Sequence, residues 1–149
     1  VLKCIRMLTF LPLEEIDKMD AWEGRQLNQA KEILGIPPVG PYSTITITSD
    51  MMEIGSLSNI TGQLGTEVAW DYEIRTDNFI TLPTDAIEVS IGTYYDADRF
   101  YFYDKDKLGI SEVVVYSANQ RVVIPNEAVY MKFLLKTTNI TDINVTYYK

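Results

Sequence analysis

Histidine is absent from these 149 residues, and cysteine occurs once, as Cys4. Without imidazole there is no histidine-based triad, no His-ligated zinc, and no imidazole acid–base chemistry near neutral pH. A single thiol closes no intramolecular disulfide and says little about compartment. No apolar run approaches the roughly 20 residues of a membrane helix, and Val1-Leu-Lys-Cys lacks the layout of a secretory leader. An opening on Val1 reads as a processed or trimmed chain. Positive charge is also short, with 13 Lys/Arg against 21 Asp/Glu and a formal charge of −8. Residues 1–40 carry five basic and six acidic side chains, a net of −1, while residues 41–149 carry eight and fifteen, a net of −7. A field of that sign repels phosphate backbones, so nucleic acid is not an expected partner. Neutral sugars, cations or basic protein surfaces suit it better.

What is present changes character at a seam, Gly35-Ile-Pro-Pro-Val-Gly-Pro41. All ten tyrosines follow it. Ahead of it, Leu2, Ile5 and Leu8 recur at helical spacing, and Leu11-Pro12 interrupts the pattern. A second helix with Leu13, Ile16 and Met19 on its apolar stripe is expected next. Glu23-Gly24 reads as a break, followed by a third helix over 25–34 with Leu27, Ala30 and Leu34 inward. Behind the seam, Val, Ile, Thr, Tyr and Phe alternate in short runs punctuated by Asp, Asn, Gly and Pro. The expected strands are 43–48, 67–75, 78–82, 87–93, 99–103, 112–117, 120–124, 129–137 and 142–148. The fold class is therefore mainly β: an antiparallel, jelly-roll-like β-sandwich over 42–149, after a helical hairpin over 1–34 and a linker over 35–41.

Alternation assigns faces. Phe100 and Phe102 oppose Arg99, Tyr101 and Tyr103, and Met131, Phe133 and Leu135 oppose Tyr130, Lys132, Leu134 and Lys136. Clean alternation of this kind predicts a wet outer face on most sheets. Trp70, grouped with Val68, Tyr72 and Ile74, is expected in the core. Aromatic rings offer flat partners to the apolar C–H faces of sugars. Tyr94, Tyr95, Tyr101 and Tyr103, near Asp96 and Asp98, are accordingly the candidate ligand-binding residues. Asp104 and Asp106 stand at a spacing that calcium loops use, but Lys105 and Lys107 intrude and no bidentate Glu follows. Two Asp-capped turns are the better reading, and neither a metal nor a cofactor is expected. No carboxylate pair is singled out for glycoside hydrolysis.

Two resemblances lie on these residues. Met7-Leu-Thr-Phe-Leu-Pro-Leu-Glu-Glu-Ile16, continuing to Ala30-Lys-Glu-Ile-Leu34, resembles a helical segment of bacterial tyrosyl-tRNA synthetases. The HIGH-type and KMSKS-type signatures of that family are missing, so no catalytic residue carries over, and a fusion is one explanation. Arg99-Phe-Tyr-Phe-Tyr-Asp-Lys-Asp-Lys-Leu-Gly-Ile-Ser111 and Val122-Val-Ile-Pro-Asn-Glu-Ala-Val-Tyr-Met-Lys-Phe133 resemble a module of phage tail, baseplate and bacterial surface proteins. That likeness implies a carbohydrate-binding-module-like jelly roll on a virion or cell surface. The expectation is a non-enzymatic module that recognises a glycan or cell-surface polysaccharide, without membrane insertion. The alternative is an assembly domain, such as a trimer, with Tyr101 and Tyr103 in its subunit interface.

Overall fold

A computed structural model describes residues 21–34, 41–58 and 62–149. The two helices read within residues 1–20 and most of the linker fall outside these. One helix, α1 (Ala21–Ile33), precedes the strands. They are β1 (Pro41–Ile47), β2 (Met52–Ile54), β3 (Ser56–Ser58), β4 (Thr66–Val68), β5 (Ile74–Thr76), β6 (Ile80–Thr81), β7 (Glu88–Ile91), β8 (Arg99–Tyr103), β9 (Gly109–Val114), β10 (Val122–Val123), β11 (Tyr130–Leu135) and β12 (Ile143–Tyr148). The chain is mainly β and its paired strands run antiparallel. One sheet has the order β1-β12-β7-β10, and the other runs β2-β5-β11-β8-β9 with β6 also on β11. Past β5 the chain alternates between the sheets except for the β8–β9 hairpin, which is the double Greek key of a jelly roll.

Between the sheets the alternation works as the sequence indicates. Met131 registers with Phe102 and Phe133 with Phe100, and all four are fully buried. Phe100 and Phe102 lie 6.0 Å apart and nearly parallel at 11°. Ile143, Val145 and Tyr147 of β12 close the core from the facing sheet, with Val89 and Ile91 of β7. Each such side chain contributes roughly 1.5–3 kcal/mol by leaving water.

The outer faces differ. That of the β1-β12-β7-β10 sheet is partly wet, where exposed Thr44 meets Thr146 at 3.3 Å and Thr46 donates to Asn144 at 3.1 Å. That of the second sheet is covered by the β3–β4 hairpin. Leu57 packs on Tyr101, Tyr103 and Leu134 in a second apolar cluster, with Leu64, Phe79 and Tyr130 around it. Lys132 is buried there, and its ammonium meets Glu67 at 2.8 Å and lies 4.6 Å from the Phe79 ring centre. That hydrogen bond holds the Glu67 carboxyl below its ordinary range, against the opposing effect of partial burial. Arg75 ties the hairpin down, donating to Ser56 O at 2.8 Å, Val68 O at 3.0 Å and Glu53 at 3.0 Å.

Four readings are corrected. The single strand expected over 67–75 is two, β4 and β5, because residues 69–73 leave the sheet in a turn. Trp70 is therefore 52% exposed rather than in the core. No break occurs at Gly24, which lies inside α1. A Cβ there would stand 2.2 Å from Thr84 O, so the missing side chain lets the helix approach the 84–85 backbone. Leu34, expected inward, is 42% exposed.

Candidate functional site

The jelly-roll order sorts the connections between its two ends. At one end α1 docks against the connections that follow β6 and β10. Arg25, fully buried, donates through Nε to Ala86 O at 2.9 Å and through Nη1 to Pro125 O and Asn126 O at 3.2 Å each. Nη1 also donates to Ala128 O, and Asn28 donates to Asp85 O. An always-charged fork with several donors suits a cluster of carbonyls that strands alone leave unpaired.

The opposite end carries four connections, residues 69–73, 92–98, 115–121 and 136–142. Register brings them together: Ile74 pairs with Leu135, Leu134 with Arg99, and Arg99 with Val114. Beneath the loops Asp98, fully buried, fastens them. Its carboxylate accepts from Tyr95 N at 2.9 Å and Lys136 N at 3.0 Å, while its carbonyl accepts from Val115 N at 2.7 Å. Lys136 forms an ion pair with Glu73, and Glu73 accepts from Ser56 Oγ at 2.6 Å.

On this rim stand Trp70 at 52% exposure, Tyr72 at 72%, Tyr94 at 36% and Tyr116 at 69%, the exposed aromatic residues among the described ones. Trp70 and Tyr72 pack edge to face, with centroids 5.8 Å apart at 69°. About three strand spacings, roughly 14–15 Å, separate the start of β5 from the end of β9. Rings held at that span could meet more than one sugar of a chain.

The nominated residues divide accordingly. Tyr94 and Asp96 are exposed on the rim, and Ala97 N donates to the Tyr94 hydroxyl at 3.3 Å. Ala97 adopts φ 51°, which turns the loop tightly. Tyr95 packs on the core, and Asp98 is the internal fastener just described. Tyr101 and Tyr103 are corrected outright: they are 1% and 2% exposed. They do face away from Phe100 and Phe102, but the hairpin covers that face. Tyr101 donates to Leu57 O at 2.9 Å and Tyr103 to Gly65 O at 2.7 Å. Gly65, at φ +74°, leaves the space the Tyr103 hydroxyl occupies, since a Cβ would stand 2.5 Å from it. Burial drives the Tyr103 hydroxyl far above its usual pKa. Neither a ligand nor a second subunit can reach these rings.

At the helix-capped end, Asp104 Oδ1 accepts from Asp106 N at 2.9 Å and Leu108 N at 3.0 Å, so it caps its own turn, and Asp106 is exposed. A groove of about 250 Å³ runs beside β1, and among the described residues its only titratable lining side chain is Asp77.

Sequence reasoning missed Trp70, Tyr72 and Tyr116. Only Asp71 between the first two hinted at a turn; Tyr116, at the end of an expected strand, gave no signal.

Comparison with known proteins touches only part of the chain. Over 32 residues, 22% of this chain, it is 44% identical to the tyrosine–tRNA ligases of Clostridium perfringens strain 13 and Clostridium botulinum strain Hall. Those residues make up 8% of each enzyme, so the chain corresponds to a small fraction of their length. No family model matches the chain, and no solved structure does.

Proposed function

We propose that this chain is a non-catalytic carbohydrate-binding module, with its ligand lying across the rim of Trp70, Tyr72, Tyr94 and Tyr116. The observation that carries this reading is the collection of exposed aromatic rings on neighbouring loops at one end of a packed sandwich. Large aromatics left in water are costly to display, and sugar rings bring C–H faces that stack on them. The internal ties of Asp98 and the Glu73–Lys136 pair limit the ordering cost of binding. In this proposal Tyr94 and Asp96 keep the role read from the sequence, and Trp70 and Tyr72 replace Tyr101 and Tyr103. The resemblance of residues 99–111 and 122–133 to tail and surface modules supports a setting on a phage tail or a bacterial surface, with a cell-surface polysaccharide as target.

Retention on a glycan array and on insoluble bacterial cell-wall polysaccharide tests the proposal. The chain is expected to be retained, and Trp70→Ala with Tyr72→Ala to lose retention while unfolding at the same denaturant concentration. Absence of retention on every glycan, or retention indifferent to those changes, overturns it.

A further inference from the structure

We infer that the rim prefers glycans bearing free amines, such as glucosamine polymers, and rejects uronate and phosphodiester polymers; this rests on the carbohydrate-binding reading above. The four rim connections hold five carboxylates, Asp71, Glu73, Asp96, Asp98 and Asp142, against two cations, Arg121 and Lys136. Both cations are engaged: Lys136 with Glu73, and Arg121 with Glu88 at 3.7 Å and over the Tyr148 ring at 3.9 Å. Asp98 and Asp142 accept backbone N–H groups, the latter from Ser49 at 2.8 Å. Exposed Asp71 and Asp96 pair with no Lys or Arg among the described residues. Asp71 sits between Trp70 and Tyr72, and Asp96 lies two residues from Tyr94.

Exposed carboxylates on the same loops as exposed aromatic rings are the combination that receives an ammonium, through charge attraction and through the negative ring face. The same arrangement leaves a ligand carboxylate or phosphate without a free counter-charge and facing repulsion. A neutral N-acetylated sugar would use the rings alone. An amine-bearing one would use both.

The test uses the full chain and three oligosaccharides of equal length: β-1,4-glucosamine, its N-acetylated form and a uronate, titrated by calorimetry at low and high salt. The amine oligomer is expected to bind about ten-fold tighter than the N-acetylated one at low salt, the advantage shrinking at high salt, with no uronate binding. With Asp71→Asn and Asp96→Asn together that advantage should vanish, the two glucosamine forms binding the variant equally. Asp106→Asn with Glu127→Gln, two exposed acids at the opposite end, removes the same charge and should leave it intact. Equal affinity for the two glucosamine forms, uronate binding, or an equal loss in both double variants overturns the inference. Binding of the N-acetylated oligomer that Trp70→Ala abolishes would then preserve the glycan reading by itself. Failure to bind any of the three overturns the inference, while retention on other glycans of the array decides the carbohydrate-binding reading.

Discussion

The two ends of the sandwich are built on opposite terms. At the helix-capped end a charge is buried to close the structure, with the Arg25 guanidinium feeding carbonyls from two connections and Gly24 allowing backbone contact. At the rim the polar ties lie below the surface, and large rings are left in water above them. One end spends its side chains on closure and the other on display. A surface that displays rings forgoes their packing, so if the rim binds as proposed, residues important for stability and residues important for binding should separate cleanly between the ends.

The largest effect should come from the clasp. Arg25→Met leaves several buried carbonyls without donors and is expected to cost on the order of 3–5 kcal/mol in urea unfolding. A change below about 0.5 kcal/mol, the level of an ordinary surface substitution, would show that the helix does not close that end.

Gly24→Ala tests the same contact by sign. In an undocked helix alanine should stabilise by up to about 1 kcal/mol. Against Thr84 O it should destabilise by roughly 1–3 kcal/mol. Thermal unfolding distinguishes the two.

Tyr147 gives a pH-dependent case from the core. Its hydroxyl is buried without a hydrogen-bond partner among the described residues, and burial raises its pKa to about 12. The folded value exceeds the ordinary value near 10, so its stability contribution is whole below pH 10 and is lost as pH rises toward 12. Tyr147→Phe should be nearly neutral at pH 7 and should flatten the alkaline decline by up to about 2–3 kcal/mol. Identical pH profiles for variant and parent would contradict this account.

The smallest effect on stability belongs to the rim. Trp70→Ala and Tyr116→Ala are expected to change unfolding free energy by less than about 0.5–1 kcal/mol. A loss comparable to that of Arg25→Met would mean the rings pack rather than present, and the contrast between the ends would collapse.

Tyrosine shows how far the sequence could be read. Alternation along β8 put Tyr101 and Tyr103 opposite Phe100 and Phe102, and the structure agrees on the face. Their burial was hidden because the cover, β3 and β4 with residues 62–65, lies over 30 positions earlier, and β3 and β4 pair with each other rather than with β8. Trp70 and Tyr72 failed in the opposite sense. Extending the alternation of 66–68 through 75 carried them inward, whereas the chain turns at Asp71 and releases both. Gly24 misled for a related reason, since a glycine that breaks an isolated helix can serve a docked one. The exposure of Tyr94 and Asp96 was legible because they stand beside a turn, which is a local property.

By itself the sequence determined the local matters: the antiparallel strand pattern and the set of β8 residues that face away from Phe100 and Phe102. These follow from a side-chain period of two and from turn chemistry, which act over a few residues. Tertiary structure alone decided which outer face is covered, that α1 closes one end through Arg25, and that Trp70, Tyr72, Tyr94 and Tyr116 share the other. Those outcomes depend on the order of strands across two sheets, which joins residues tens of positions apart and leaves no periodic trace in the chain.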